Sequence, residues 1–180
     1  MRRAQLLLML LVVTAIAPAC APVDRKSDVF RVSNAELGIA LASLPAPFEV
    51  LRNEGRALEL APTGNAAAGT LRVECAAREG GVNLVAEVQA HRQRIEAMTA
   101  GEYRGGQELV CPLGSAFWSR GRYSDGQATW EEACVFALHP DQVTLLSLCY
   151  VYPASNDSGS RVEQLLAVLG EVEAAAAPPT

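Results

Sequence analysis

Two turns between residues 115 and 153 constrain this 180-residue chain more than any other feature. The first is Ser124-Asp125-Gly126-Gln127, and Asp-Gly is the pair that most readily takes the positive φ angles of a two-residue type I′ hairpin. The second is His139-Pro140-Asp141-Gln142. Together they divide residues 115–153 into three consecutive antiparallel strands. With Asp125 and Gly126 as turn residues, Trp118 lies opposite Ala133, Phe117 opposite Cys134 and Arg120 opposite Glu131. With Asp141 and Gln142 as the second turn, Cys134 lies opposite Cys149. The middle strand is apolar on both faces: Ala133, Val135 and Ala137 point one way, Cys134, Phe136 and Leu138 the other. A sheet with one face in water does not carry that pattern, so both faces need cover. Two amphipathic helices supply it, which predicts an α+β chain: an antiparallel β-sheet covered by helices on both faces, an α/β/α sandwich.

The first helix is predicted from about Asn83 to Met98. Leu84, Val88, Ile95 and Met98 form one stripe, and His91 fills the remaining place at the margin of that buried face. The second begins at Ser160, where Ser160 and Glu163 form a capping box, and Val162, Leu165, Leu166, Leu169 and Val172 make its apolar face. Upstream, a strand is predicted over Leu37–Ser43. A hairpin follows around Asn53-Glu54-Gly55, in which Phe48 pairs with Leu60, Val50 with Leu58, and Glu49 meets Glu59 on the wet face. Thr70–Ala76 reads as another strand with Leu71, Val73 and Cys75 on one side. Gly80-Gly81 and Gly105-Gly106 read as turns. Residues 37–173 are long enough for one domain with a proper core. The uncharged tail 174–180, ending in two prolines before Thr180, reads as disordered.

The beginning of the chain has a different character. Arg2 and Arg3 precede an apolar run from Leu6 to Ala17 and then Ala17-Pro18-Ala19-Cys20, the layout of a bacterial export signal over residues 1–19. The run falls short of the ~20 residues a membrane span needs. Cys20 resembles the lipid-attachment cysteine of bacterial lipoproteins, which would make residues 20–36 a lipid-anchored N-terminus and tether. Ala21 after it resembles lipoproteins sorted to an outer membrane, facing the periplasm. Cleavage by the ordinary signal peptidase after Ala19, giving a soluble periplasmic or secreted protein, is the alternative. Cysteine parity favours the anchor: Cys75, Cys111, Cys134 and Cys149 form an even set able to close two disulfides in an oxidising compartment, leaving Cys20 over. Of the three connectivities, Cys134–Cys149 follows from the strand register and leaves Cys75–Cys111. No Cys-x-x-Cys spacing is present, so structural bridges are favoured over redox catalysis.

The whole chain carries 15 basic and 20 acidic side chains; without Arg2 and Arg3 the count is 13 against 20, a net charge of −7. That balance, without a basic cluster, argues against nucleic acid and against binding anionic headgroups by charge. His91 and His139 sit in different elements, neither with a second histidine, cysteine or acid at metal-ligand spacing, so no metal is predicted. No nucleophile elbow, phosphate loop or HExxH occurs, so no catalytic residue and no cofactor is predicted. One polar grouping stands out. Trp118, Arg120 and Arg122 share a face, with Glu131 and Tyr152 across the strands. Its plain reading is an ion pair at a hairpin end; its functional reading is a patch for a partner's carboxylate or peptide, since Arg, Trp and Tyr dominate interfaces.

The order of elements resembles the PsbP-like domains, a group that includes DcrB-type bacterial lipoproteins and Mog-type proteins. Leu37 to Pro62, opening Leu-Gly-Ile-Ala-Leu-Ala-Ser-Leu-Pro before an apolar hairpin, is similar to the start of such domains. Gly114-Ser115-Ala116-Phe117-Trp118, Gly121-Arg122-Tyr123, the strand with Glu131 and Glu132, Tyr152-Pro153 and a closing amphipathic helix are similar to the rest. The resemblance implies a three-layer α/β/α sandwich and no catalytic motif. The function expected is therefore a non-enzymatic envelope lipoprotein domain that binds or supports an envelope protein, joined to the membrane through its N-terminal lipid. The alternative is a periplasmic carrier or sensor holding a small apolar ligand where Ala116, Ala133 and Ala137 leave space between sheet and helix.

Overall fold

The computed structural model describes residues 31–154 and 159–175. The export signal, Cys20, the tether up to residue 30 and the tail beyond residue 175 lie outside the described residues. In chain order the elements are β1 (Val32–Asn34), β2 (Ile39–Leu41), β3 (Phe48–Glu54), β4 (Ala57–Pro62), β5 (Thr70–Ala77), α1 (Leu84–Glu96), β6 (Glu102–Cys111), β7 (Gly114–Ser124), β8 (Thr129–Leu138), β9 (Thr144–Pro153), α2 (Ser160–Gly170) and β10 (Val172–Ala174). Seven strands pair antiparallel in the order β3-β4-β5-β9-β8-β7-β6, and β1-β2-β10 form a second, small sheet.

The two apolar faces of β8 are covered as expected. Ala133, Val135 and Ala137 are fully buried in the main core with Leu165, Val168 and Leu169 of α2 and with Ile39 and Leu41 of the small sheet. Ala116 belongs to the same core. Burying a leucine such as Leu165 contributes ~1.5–3 kcal/mol, and α2 places several along one stripe. On the other face Cys134, Phe136 and Leu145 pack with Val82, just before α1, and with Leu84 and Val88 on it. Further along, Ile95 seats on Gly121 so closely that a Cβ there would lie 2.5 Å from Ile95. That glycine lets the helix touch the sheet.

The β8–β9 register is the one the turn predicted: Leu138 pairs with Leu145 and Cys134 with Cys149, and these two cysteines form a disulfide. The loop is longer than two residues, since the His139 N–H donates to the Thr144 carbonyl at 2.9 Å, but the opposing pairs are unchanged. The β7–β8 register differs by two residues. Trp118 faces Val135 rather than Ala133, Phe117 faces Phe136 rather than Cys134, and Glu131 lies opposite Arg122 rather than Arg120. The reason is Asp125, whose carboxylate accepts the N–H groups of Gln127 and Ala128 and the Trp130 indole N–H, each at 2.8 Å, and so holds a wider loop. Those bonds also lower the Asp125 pKa. A shift of two keeps every side chain on its face.

Elsewhere the departures are larger. In β3–β4 the pairs are Phe48 with Pro62, Glu49 with Ala61 and Val50 with Leu60, after which a bulge at Leu51 changes the register and makes Gly55 and Arg56 the turn. Glu59 therefore faces Arg52 and Arg72, not Glu49. Gly105-Gly106 is no turn but the middle of β6, where the register slips between Tyr103 and Gly105 and Gly105 takes φ +100°. The strand predicted over Leu37–Ser43 narrows to β2 and belongs to the small sheet, where Val172 pairs with Leu41. Val172 thus lies in β10 and not on the helix face, and Ala174, expected in the tail, pairs with Ile39. At α2 the N-cap position is Gly159, with no side-chain cap, so the capping box based on Ser160 does not form; Ser160 is the first helical residue.

The second predicted disulfide is absent. Cys75 and Cys111 are free. Cys75 sits on β5 and Cys111 at the end of β6, four strands apart in the sheet order, or on the order of 19 Å at the usual strand spacing. A bridge needs Cα atoms within ~7 Å. The Cys75 thiol contacts the Leu37 carbonyl at 3.5 Å, and burial pushes its pKa up to about 11, so it is protonated and unreactive at neutral pH.

Candidate functional site

Glu131 and Glu132 are neighbours on β8, so they point to opposite faces of the sheet, and both are buried. A buried carboxylate needs charged or hydrogen-bonding partners, and each has its own set.

Glu131, fully buried, faces the α2 side. Arg122 on β7 and Tyr152 on β9 flank it directly across the strands. Arg122 donates through Nε at 2.9 Å to Oε1, Arg104 through Nη1 at 3.2 Å to Oε1, and Tyr152 through its hydroxyl at 3.2 Å to Oε2, while Arg120 Nη1 lies 4.0 Å from Oε2. The arginine side chains remain between 24% and 30% exposed, so they are anchored inside and reachable from outside. Trp118, half-buried, stands two residues before Arg120 on the same face. The five residues of the predicted patch do come together, with two changes. Tyr152 and Glu131 form its buried floor rather than its surface, and Arg104 belongs to it. Arg104 was not legible because β6 itself was not.

Glu132 faces α1. Arg94 clamps both its oxygens, one through Nη1 to Oε2 at 3.1 Å and the other through Nη2 to Oε1. His91 Nε2 lies 3.6 Å from Oε1, and Cys134 Sγ lies 3.2 Å from it. Burial by itself would push the Glu132 pKa up; the His91 imidazole and the Arg94 guanidinium outweigh this and hold it at about 2. The other imidazole nitrogen, Nδ1, is 2.7 Å from Ser119 Oγ, which in turn donates to the Tyr103 hydroxyl at 3.4 Å. Sequence spacing offered His91 no acid or cysteine partner. The fold brings it Glu132 and Cys134 from 41 and 43 residues away along the chain. His139 is a turn residue as predicted, and also a strut: its Nε2 donates to the Leu37 carbonyl at 2.8 Å and its Nδ1 accepts the Asp141 N–H.

Because α1 lies over β6, β7 and β8, the same sheet face is open beside it. One cleft of about 220 Å³ runs past Glu87, His91, Arg94, Cys134 and Cys149, and another of about 490 Å³ past Glu59, Arg72, Arg94, Glu132 and Cys149. Arg94 and the disulfide sulfur of Cys149 border both. Among the described residues no helix is long and apolar enough to cross a membrane.

Neither a family model nor a curated protein matches this sequence. Solved structures do, and they define the fold as PsbP/Mog1-like. The solution structure of cyanobacterial PsbP (CyanoP) from Synechocystis sp. PCC 6803 is similar with a TM-score of 0.56 at 9% identity, covering 81% of this chain and 91% of that one. The Saccharomyces cerevisiae Ran-binding protein Mog1p is similar with a TM-score of 0.55 at 13% identity, covering 80% and 94%. LpqN, involved in cell envelope biogenesis of Mycobacterium tuberculosis, is similar with a TM-score of 0.53 at 16% identity, covering 74% and 81%. The chain also spans about half (48%) of a longer Bacteroides thetaiotaomicron protein, with a TM-score of 0.54 at 9% identity. The likeness at these identities is one of fold, and it bears out the PsbP-like resemblance read from the element order.

Proposed function

We propose that this chain is a non-catalytic binding domain of the cell envelope, exported, held at the membrane by a lipid on Cys20, and docking a protein partner through Arg104, Arg120, Arg122 and Trp118. One observation carries the reading: three guanidinium groups are gathered and oriented around one fully buried carboxylate, while a quarter or so of each side chain stays in solvent beside a tryptophan. Arginine held in a fixed fork recognises a carboxylate bidentately at less entropic cost than a free surface arginine. A partner presenting an acidic, partly aromatic segment fits it. Support for the setting comes from the disulfide, which suits an oxidising compartment, and from the similarity to LpqN, a protein involved in cell envelope biogenesis. Mog1p, of the same fold, is a Ran-binding protein. Folds of this kind host unlike functions, so the patch, rather than the fold, identifies the surface.

The anchor is tested by Cys20→Ser followed by fractionation: the variant leaves the membrane fraction, and a variant that stays there unchanged contradicts the lipid. The patch is tested by affinity capture from solubilised envelopes with Arg104→Glu against the unsubstituted domain. Loss of one specific band is the expected result; an identical set of captured proteins contradicts the patch.

A further inference from the structure

On the face of the sheet opposite the arginine patch, three potential metal ligands lie together. His91 Nε2 or Nδ1, a Glu132 carboxylate oxygen and Cys134 Sγ are within 4.8 Å of one another, and all three residues are buried. Cys149 Sγ, bonded to Cys134 Sγ, is a further donor beside these three. Two features set this apart from an ordinary buried ion pair. The His91 side chain is 2% exposed, yet its Nε2 has no hydrogen-bond partner and is aimed at Glu132. A buried polar nitrogen without a hydrogen bond is costly unless something else satisfies it. Its other nitrogen, Nδ1, is held 2.7 Å from Ser119 Oγ, which fixes the ring with Nε2 turned towards Glu132. That is how a metal-binding histidine is commonly oriented.

We propose that Cys134, Cys149, His91 and Glu132 form a zinc site that exists only when the Cys134–Cys149 disulfide is reduced. While the disulfide stands, neither sulfur is a thiolate, and no strong sulfur ligand is available. A dithiol reductant supplies two electrons and two protons: the Cys134–Cys149 bond breaks, two thiols form, and the sulfurs of the reductant close to a disulfide. Zn²⁺ then binds, and the two thiol protons leave to solvent. Two thiolates, a neutral imidazole and a carboxylate are a donor set suited to tetrahedral zinc, whose ligand atoms sit roughly 3.3–3.8 Å apart. The His91, Glu132 and Cys134 donors need to draw together by about 1.5 Å at most, and the two sulfurs must part from bonding distance to that spacing. Two thiolates, one carboxylate and Zn²⁺ sum to one negative charge, which the Arg94 guanidinium already on Glu132 balances from the second oxygen. The cleft past His91, Arg94, Cys134 and Cys149 is the way in for metal and reductant.

The test uses the unsubstituted chain, oxidised or reduced with a small dithiol that is removed by gel filtration without air. Zn²⁺ is titrated against a chromophoric chelator, Co²⁺ is added in parallel, and each cysteine is mapped by alkylation and mass spectrometry. The reduced protein is expected to bind one equivalent at least about 100-fold more tightly than the oxidised protein, and to give a thiolate-to-cobalt charge-transfer band. Zinc is expected to protect Cys134 and Cys149, but not Cys75 or Cys111, from alkylation. His91→Gln is expected to weaken binding at least about 10-fold. Equal affinity in the two redox states, absent protection at Cys134 and Cys149, protection centred on Cys75 or Cys111, or unchanged affinity in H91Q each overturns the site. The alkylation map needs no substitution, so it decides the matter even where H91Q does not fold.

Discussion

Glu131 and Glu132 differ by one place in the chain and by almost everything that surrounds them. Glu131 is enclosed by donors drawn from three strands, Arg104 of β6, Arg122 of β7 and Tyr152 of β9, and both of its oxygens are used. Glu132 shares its side of the sheet with a helix, a disulfide and a histidine nitrogen that has no hydrogen bond. The first environment is closed at its floor and offers charge at its rim. The second has open clefts at its edge and a bond that chemistry can break. The comparison teaches that burial of a carboxylate is not one kind of site: the identity of the neighbours, set by the face the strand presents, decides whether the group holds structure together or stands ready to change.

The contrast is broken most directly at Glu131. Glu131→Gln leaves three partly buried guanidinium groups around a neutral amide, and removal of one partner from a buried ion cluster costs about 3–5 kcal/mol. Urea unfolding of E131Q is expected to show that loss; a change below about 1 kcal/mol would mean the cluster behaves as an ordinary surface ion pair. Next comes the disulfide. It closes a loop with a sequence separation of 15, and reduction is expected to cost about 3 kcal/mol in the chain-entropy account. Thermal unfolding of the reduced, metal-free protein reads this, and an unchanged midpoint would refute it.

The smaller effect is the pH dependence on the Glu132 side. Its folded pKa of about 2 lies below the ordinary carboxylate value of 4.5. The stabilisation this confers is therefore complete above about pH 4.5 and is lost as pH falls through about 2. On the linkage relation it amounts to something on the order of 2–3 kcal/mol. The stability difference between the unsubstituted protein and Glu132→Gln is expected to be largest at pH 6 and to shrink towards pH 2.5. A difference that is flat across that range would show that Glu132 is held by packing rather than by charge.

Much of this was legible in the sequence where local chemistry and burial agree. The doubly apolar pattern of β8 demanded cover on both sides, and the parity of the second turn placed Cys134 against Cys149. What escaped was what one residue's side chain or a distant strand decides. Asp125 prefers to cap a wider loop, which moved Arg122 into the place predicted for Arg120. β6 is an edge strand with two glycines and exposed Gln107 and Glu108 in its middle, so no alternation announced it. With it went Arg104, and with it went the distance that separates Cys111 from Cys75. His91 was placed at a buried margin by helix spacing, but its meeting with Glu132 depends on how α1 seats over Gly121, a tertiary fact with no local signal.

The claim that the arginine face, and not the disulfide face, meets the partner is tested most directly by photo-crosslinking in living cells. A photoreactive residue replaces either Gln107, which is exposed and pairs with Trp118 across β6–β7, or Ser147, which lines the cleft beside the disulfide. The position 107 probe is expected to give one discrete crosslinked species that Arg104→Glu abolishes, with none from position 147. A discrete crosslink from position 147 and none from position 107 would contradict it.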